Sequence, residues 1–168
     1  HTNARVGRSE EAEQDIRKAL ELGPRNTEVL REVGKAYVVL GKPQEAMRHL
    51  SEAIRQSPHP ELYLLRSRVA RSLGRVEHSQ ADLATALRID ASGRFISQFA
   101  LEQMECGRAD EALDLANSVV DRFPDLSLGH FARGRILLLH GRYPAALAAL
   151  NVAIEQGYST APCHANRA

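Results

Sequence analysis

The stretch that decides the fold is "AYVVLGKPQEAMRHL", residues 36–50, in which a glycine and a basic residue separate two apolar-patterned segments. A similar phrase occurs four more times, and in each copy Arg or Lys directly follows the glycine. The glycines are Gly7, Gly41, Gly74, Gly107 and Gly141, spaced by 34, 33, 33 and 34 residues. Self-similarity at a fixed period of about 20 to 50 residues is typical of repeat proteins, so the chain is predicted to be an array of similar units.

Each phrase is predicted to be the tight corner of a helical hairpin. The segments on both sides carry apolar residues at intervals of three and four, the pattern of amphipathic helices. Glycine adopts the left-handed conformation that ends a helix, and the basic residue after it lies at the negative end of the helix dipole. A small residue stands five positions after each glycine and allows the two helices to approach closely: Ala12, Ala46, Ser79, Ala112 and Ala146.

Residues 27–59 resemble the tetratricopeptide repeat, a helix–turn–helix unit of about 34 residues. The signature positions of that family hold Leu30, in place of the preferred Trp, followed by Val33, Gly34, Tyr37, Ala46, Leu50, Ala53 and Pro58. The resemblance implies an all-α solenoid of antiparallel hairpins that forms a right-handed superhelix over residues 1–168, cut from a longer array. It implies a half repeat at 8–26, full repeats at 27–59, 60–92, 93–126 and 127–158, and the start of a further repeat at 159–168.

In this family the first helix of each repeat lines a concave groove that binds partner segments, so the resemblance also implies candidate site residues. A basic patch is expected in the N-terminal half of the groove, and an apolar surface in the C-terminal half. The candidate partner-binding residues are Arg31, Lys35, Leu64, Arg68, Arg71, Gln98, Leu101, Phe131 and Arg135.

Composition disfavours several other classes of protein. A net charge of +1, few aromatic residues and no Trp argue against a nucleic-acid partner. No apolar run approaches the roughly 20 residues that cross a bilayer, so membrane insertion is not expected. No phosphate loop, nucleophile elbow or zinc-protease motif occurs. Glu45, His49 and Glu52 share one helix face, which is interpreted as a solvated charged face, and the sequence therefore predicts no catalytic residue, metal or cofactor.

The predicted function is that of a non-catalytic scaffold that binds a protein or peptide segment, with acidic character where it meets the basic patch. Two alternatives stay open. The chain is also consistent with the recruiting or regulatory arm of a larger multidomain protein, such as a glycosyltransferase or a secretion component. It is equally consistent with a homo-oligomer assembled through the apolar hairpin at 127–158. The Arg-rich composition suggests a bacterial source, and the compartment is left open, with the cytoplasm slightly favoured.

Overall fold

The computed structural model describes residues 2–158, with side chains described from Glu10 onward. Over this range every regular element is an α helix. The chain forms two compact units that divide between Ile89 and Asp90. The first unit contains α1 (Thr2–Leu22), α2 (Thr27–Val39), α3 (Pro43–Gln56), α4 (Pro60–Ser72) and α5 (Val76–Ile89). The second contains α6 (Arg94–Glu105), α7 (Ala109–Arg122), α8 (Ser127–Leu139) and α9 (Tyr143–Glu155). The further repeat expected at 159–168 lies outside the described residues.

Four of the five predicted corners are confirmed. Each follows the first helix of a hairpin, and its glycine has a positive φ, between 66° and 76°. The amide of the next, basic residue donates a hydrogen bond back to a carbonyl in the last turn of that helix, as Lys42 does to Tyr37 at 2.8 Å. This is the Schellman pattern, which satisfies carbonyls that the helix end leaves without partners. The corners are Gly41, Gly74, Gly107 and Gly141.

The prediction for Gly7 is wrong, because this glycine lies inside the continuous helix α1. A glycine within a helix costs only about 1 kcal/mol relative to alanine, so its presence does not force a corner. The helix of the predicted half repeat therefore begins at Thr2 rather than at residue 8.

Small residues bring the two helices of a hairpin into close contact. Gly34 lies against Leu50, and a Cβ added to this glycine would stand 2.8 Å from the leucine Cγ. Gly134 meets Leu150 in the same way, at 2.6 Å. The alanines five positions after the corners are fully buried at the same interfaces: Ala46, Ala112 and Ala146. The small residues of the repeat signature are thus explained by the short distance between the two helices of a hairpin.

The hairpin formed by α4 and α5 has serines at two of these small positions. The Ser67 hydroxyl donates to the Ser79 carbonyl at 2.8 Å and lies 2.9 Å from the Ser79 hydroxyl. Both serines are buried. Because the two hydroxyls satisfy each other between α4 and α5, this hairpin keeps the close helix spacing without leaving a buried polar group unpaired.

The side chain of Arg66 joins three helices of the first unit through a bidentate ion pair and a further hydrogen bond. Arg66 of α4 donates from Nε and Nη2 to the two carboxylate oxygens of Asp82 of α5, at 2.9 and 2.7 Å. Its Nη1 donates to the hydroxyl of Ser51 of α3 at 3.0 Å. Asp82 is buried, and the hydrogen bond to it raises the pKa of Arg66. The guanidinium fork therefore connects neighbouring hairpins within this unit.

His49 corrects the interpretation of a solvated face on α3. Its side chain is buried, and its ring stacks on Tyr37 of α2 with 5.4 Å between the centroids. Arg48 Nη2 lies 3.0 Å from His49 Nε2. Burial, and secondly the charge of Arg48, lower the pKa of His49 below its ordinary value of 6.5. The histidine is thus a core residue that the fold holds in its neutral form.

We expect the stability of the first unit to fall as the pH is lowered through about 6.5. The unfolded chain binds a proton at His49 more readily than the folded chain, so stability present above the unfolded pKa decreases as the pH falls toward the folded pKa. The His49→Phe variant keeps a ring against Tyr37 and is expected to show a flatter dependence. Urea unfolding at about pH 7.5, 6.5 and 5.5 measures this, and equal pH slopes in both proteins would contradict it.

Candidate functional site

Within each unit two first helices lie side by side. These are α2 and α4 in the first unit, and α6 and α8 in the second. We call these pairs the α2/α4 surface and the α6/α8 surface. The candidate residues Arg31, Lys35, Leu64, Arg68 and Arg71 belong to the first pair of helices, and Gln98, Leu101, Phe131 and Arg135 belong to the second. That these residues bind a partner stays a prediction.

The cations of α2 are bridged by a carboxylate of α4. Arg31 Nη1 lies 3.1 Å from Glu61 Oε2, and Lys35 Nζ lies 3.0 Å from Glu61 Oε1. The two oxygens of one side chain therefore hold both cations at the junction of the helices. The family resemblance also implies that Glu61 faces the groove, but the predicted basic patch leaves its charge out of account.

Two more carboxylates of α2 surround the same cations. Glu28 Oε2 is 2.5 Å from Arg31 Nη2, and Glu32 Oε1 lies 3.0 Å from Arg31 Nε and 3.2 Å from Lys35 Nζ. Burial acts to lower the pKa of Arg31, but the hydrogen bond with Glu32 and the charges of Glu61 and Glu28 outweigh it and raise that pKa. Three carboxylates thus face two cations, so this part of the α2/α4 surface is slightly negative. The expected preference for an acidic partner finds no support at Arg31 and Lys35.

The remaining candidates differ in how much side chain they offer. Leu64 and Leu101 are only 5% and 7% exposed, so they contribute to the core and offer little surface for contact. Arg68 is half-buried, whereas Arg71, Gln98 and Arg135 are exposed. The place of a residue in the repeat therefore predicts which helix carries it. It does not predict whether its side chain is exposed to solvent.

An aromatic and cationic group lies on α8. Phe131 stacks on Tyr158, with 4.2 Å between the ring centroids, and the Arg135 guanidinium carbon lies 5.9 Å from the Phe131 centroid. Tyr158 follows the capping Gly157 after α9 and stands seventeen residues after Gly141, where three other repeats have proline. A flat ring beside a guanidinium can contact apolar, aromatic or carboxylate groups of a partner.

No cluster of three or more His, Cys, Asp or Glu side chains within residues 10–158 could hold a metal ion. Among the described helices, none combines the length and the apolar character that are needed to cross a membrane.

Comparison with known proteins gives a family and a fold. The family model of the tetratricopeptide repeat matches residues 3–59, 32–93 and 98–162. Among solved structures, the fold is similar to MamA (18% identity, 92% of each chain, TM-score 0.50). It is similar to PilF of Pseudomonas aeruginosa (14% identity, 94% of this chain and 72% of that one, TM-score 0.51). It is also similar to a tetratricopeptide repeat protein of Parabacteroides merdae (20% identity, 94% of this chain and 62% of that one, TM-score 0.50).

At these identities the likeness concerns the fold alone, which is that of a tetratricopeptide repeat solenoid. Among curated protein sequences, none matches the chain.

Proposed function

Because the chain belongs to the tetratricopeptide repeat family, we propose that it is a non-catalytic scaffold that binds a segment of a partner protein on its first-helix surfaces. The observation that carries this proposal is the α6/α8 surface. There Gln98 and Arg135 are exposed, and Phe131 presents a ring that Tyr158 holds in place. Together they offer a partner an amide, a guanidinium and the uncovered part of an aromatic ring.

The chemistry of the two surfaces favours different partner side chains. On the α6/α8 surface, an apolar side chain beside a carboxylate would meet both Phe131 and Arg135. On the α2/α4 surface, the excess of carboxylate around Arg31 and Lys35 favours Lys or Arg in the partner. We therefore propose that a segment bound on the α6/α8 surface carries a carboxylate, and that a segment bound on the α2/α4 surface carries basic side chains.

A pull-down with matched charge changes tests the proposal. The variant Gln98→Glu/Arg135→Glu alters the α6/α8 surface, whereas the control Gln80→Glu/Arg88→Glu makes the same changes at exposed positions of the second helix α5. We expect the first variant to recover the partner at least tenfold less well than wild type, and the control to recover it within twofold. Equal recovery by both variants would show that α6 and α8 do not bind the partner.

Self-assembly is a second candidate function, favoured by an exposed apolar face on α9. Tyr143, Leu147 and Ile154 are 66%, 62% and 66% exposed, although large apolar groups normally avoid water in such numbers. We propose that this face contacts a second copy of the chain. Light scattering is expected to show a mass that rises with concentration for wild type and stays monomeric for Leu147→Glu/Ile154→Glu. A monomeric wild type at the highest concentration would exclude this candidate.

A further inference from the structure

Arg133 of α8 holds a buried hydrogen-bond donor that no described residue uses. Its Nε is shielded from solvent, and within the described part of the chain no acceptor lies within hydrogen-bond distance of it. The side chain as a whole is only half-buried. A buried donor without an acceptor costs free energy, so nearly all such groups in folded proteins have a partner. Arg133 is an exception that calls for a ligand.

The first unit shows which ligand an arginine at this position takes. Arg66 stands 67 residues before Arg133 and, like it, eight residues before the corner glycine of its hairpin. Arg66 donates from Nε and Nη2 to the two carboxylate oxygens of Asp82. In Arg133 the same Nε is the unused donor. Because a guanidinium and a carboxylate match each other through two parallel hydrogen bonds, a carboxylate is the ligand that fits Arg133.

The second unit lacks the carboxylate that would complete this pair. The residue 67 positions after Asp82 is Ala149 of α9, whose side chain offers no acceptor. The sequence of α8 contains no Asp or Glu, and that of α9 contains only Glu155, at its last position. The described helices that carry Arg66 and Arg133 therefore share the cation but differ in the anion beside it.

Arg133 lies on the side of α8 that faces away from the α6/α8 surface. It stands two residues from Phe131 and two from Arg135, and two residues of an α helix correspond to a turn of about 200°. In the same register, Arg66 contacts the second helices α3 and α5. A ligand of Arg133 would therefore lie beside the second helices α7 and α9.

A second donor occupies the same register on α7. Ser51, which accepts the third hydrogen bond of Arg66, stands ten residues after the corner Gly41. Ten residues after Gly107 the chain has Asn117, whose side chain is half-buried. Its amide nitrogen can donate to a carboxylate that the guanidinium holds, which adds to the preference for this group.

Relief of the unused donor favours binding. Because the Nε of Arg133 is shielded from solvent, a ligand reaches it after a small outward turn of the side chain. That turn exchanges a buried donor without an acceptor for a charge-assisted hydrogen bond, and the neighbouring Nη2 gains a second one. Chloride and neutral amides cannot form this pair of parallel bonds as a carboxylate does, so the site is expected to discriminate against them.

We propose that Arg133 is a carboxylate-binding site on the second-helix side of the second unit, where a carboxylate from outside the chain takes the place that Asp82 has beside Arg66. This site goes beyond the function proposed above, because it uses none of the candidate residues on the first-helix surfaces. The carboxylate belongs either to an Asp or Glu side chain of another protein or to a small organic acid, and two titrations distinguish these sources.

The Nε–H resonance of Arg133 in a heteronuclear correlation spectrum of the full chain reports binding directly. Arg133→Lys identifies this resonance by its loss, and Arg66→Lys does the same for Arg66. Titration with sodium acetate, against sodium chloride at equal ionic strength, is expected to move the Arg133 proton to higher frequency in a saturable way, because the proton enters a hydrogen bond to a carboxylate. The Arg66 resonance is the internal control and is expected to stay in place, since Asp82 already holds that guanidinium.

Ala149→Asp supplies the ligand from within the chain. The new carboxylate has the register of Asp82 and is expected to weaken acetate binding at Arg133 at least tenfold, because it occupies the same donors. Ala148→Asp adds the same charge at the exposed neighbouring position of α9 and serves as the control, with an expected change below twofold. Circular dichroism shows whether both variants keep their helix content, and the wild-type titration decides the matter if Ala149→Asp does not.

Two capped peptides, acetyl-Ala-Asp-Ala-amide and acetyl-Ala-Asn-Ala-amide, identify the source of the carboxylate. A half-maximal shift of Arg133 at a lower concentration of the Asp peptide than of acetate would assign the site to a protein side chain, and the reverse order to a small organic acid. No shift of Arg133 with either carboxylate would overturn the proposal. So would an equal shift with chloride or with the Asn peptide, or an unchanged acetate response in the folded Ala149→Asp protein.

Discussion

Replacing Gly93 with alanine is expected to destabilise the second unit by about 2–5 kcal/mol, because two costs add. Gly93 has a φ of +67°, a conformation that costs an L-residue about 1–2 kcal/mol. Its missing Cβ would also lie 2.5 Å from Phe123 Cδ2 and 3.1 Å from Leu126 Cδ2, so both side chains would have to move. Repacking of this kind costs about 1–3 kcal/mol. Urea unfolding followed by circular dichroism measures the change.

Gly107→Ala is the matched control in the same unit. Gly107 has a φ of +76°, but no atom lies within 4 Å of the position that its Cβ would occupy. We expect only the conformational cost of about 1–2 kcal/mol here. Adding Phe123→Leu to Gly93→Ala should give less than the sum of the two single effects, because the smaller side chain relieves the contact. Equal effects of the two glycine changes would show that Phe123 does not restrict Gly93.

Replacing Asp82 with alanine is expected to destabilise the first unit by about 2–4 kcal/mol. The change leaves Arg66 partly buried without its bidentate partner, with only Ser51 still accepting a hydrogen bond from it. Losing one member of a buried pair costs more than the pair itself contributes, since the remaining charge stays desolvated. The same unfolding measurement at neutral pH tests this.

Glu52→Ala provides the comparison for Asp82→Ala. Glu52 pairs with Arg55 on the exposed side of α3, and removal of such a pair is expected to cost about 0–1 kcal/mol. The double variant Arg66→Met/Asp82→Leu is expected to be more stable than Asp82→Ala, because it removes both charges and retains apolar volume. If Asp82→Ala lowered the free energy of unfolding no more than Glu52→Ala does, the ion pair would not stabilise the packing of these helices.

The sequence predicted the helices and four corners well because both depend on local chemistry. Gly41, Gly74, Gly107 and Gly141 recur in phase with amphipathic segments, and the left-handed corner needs glycine wherever it occurs. Gly7 satisfies the same pattern but lies in a continuous helix, since a corner also requires two helices that pack on each other. The importance of Gly93 was not predicted. Its close contact is with Phe123, which lies far along the chain, and the local pattern around Gly93 does not show that contact.

The candidate site was predicted less completely, because side chains on neighbouring helices decide it. Counting along a repeat placed Arg31 and Lys35 on the right helix, but it did not reveal that Glu61 bridges them from α4. It likewise did not show that Leu101 is buried or that His49 lies against Tyr37. These outcomes depend on the distance between helices, which the spacing of residues in one helix does not specify.

Hydrogen–deuterium exchange of the chain, alone and with the partner recovered by pull-down, tests the central claim most directly. A scaffold that binds on its first helices should show slower amide exchange in α2, α4, α6 or α8 when the partner is present, with little change in α3, α5 and α7. Slower exchange confined to those second helices, or no change in any first helix, would contradict the account.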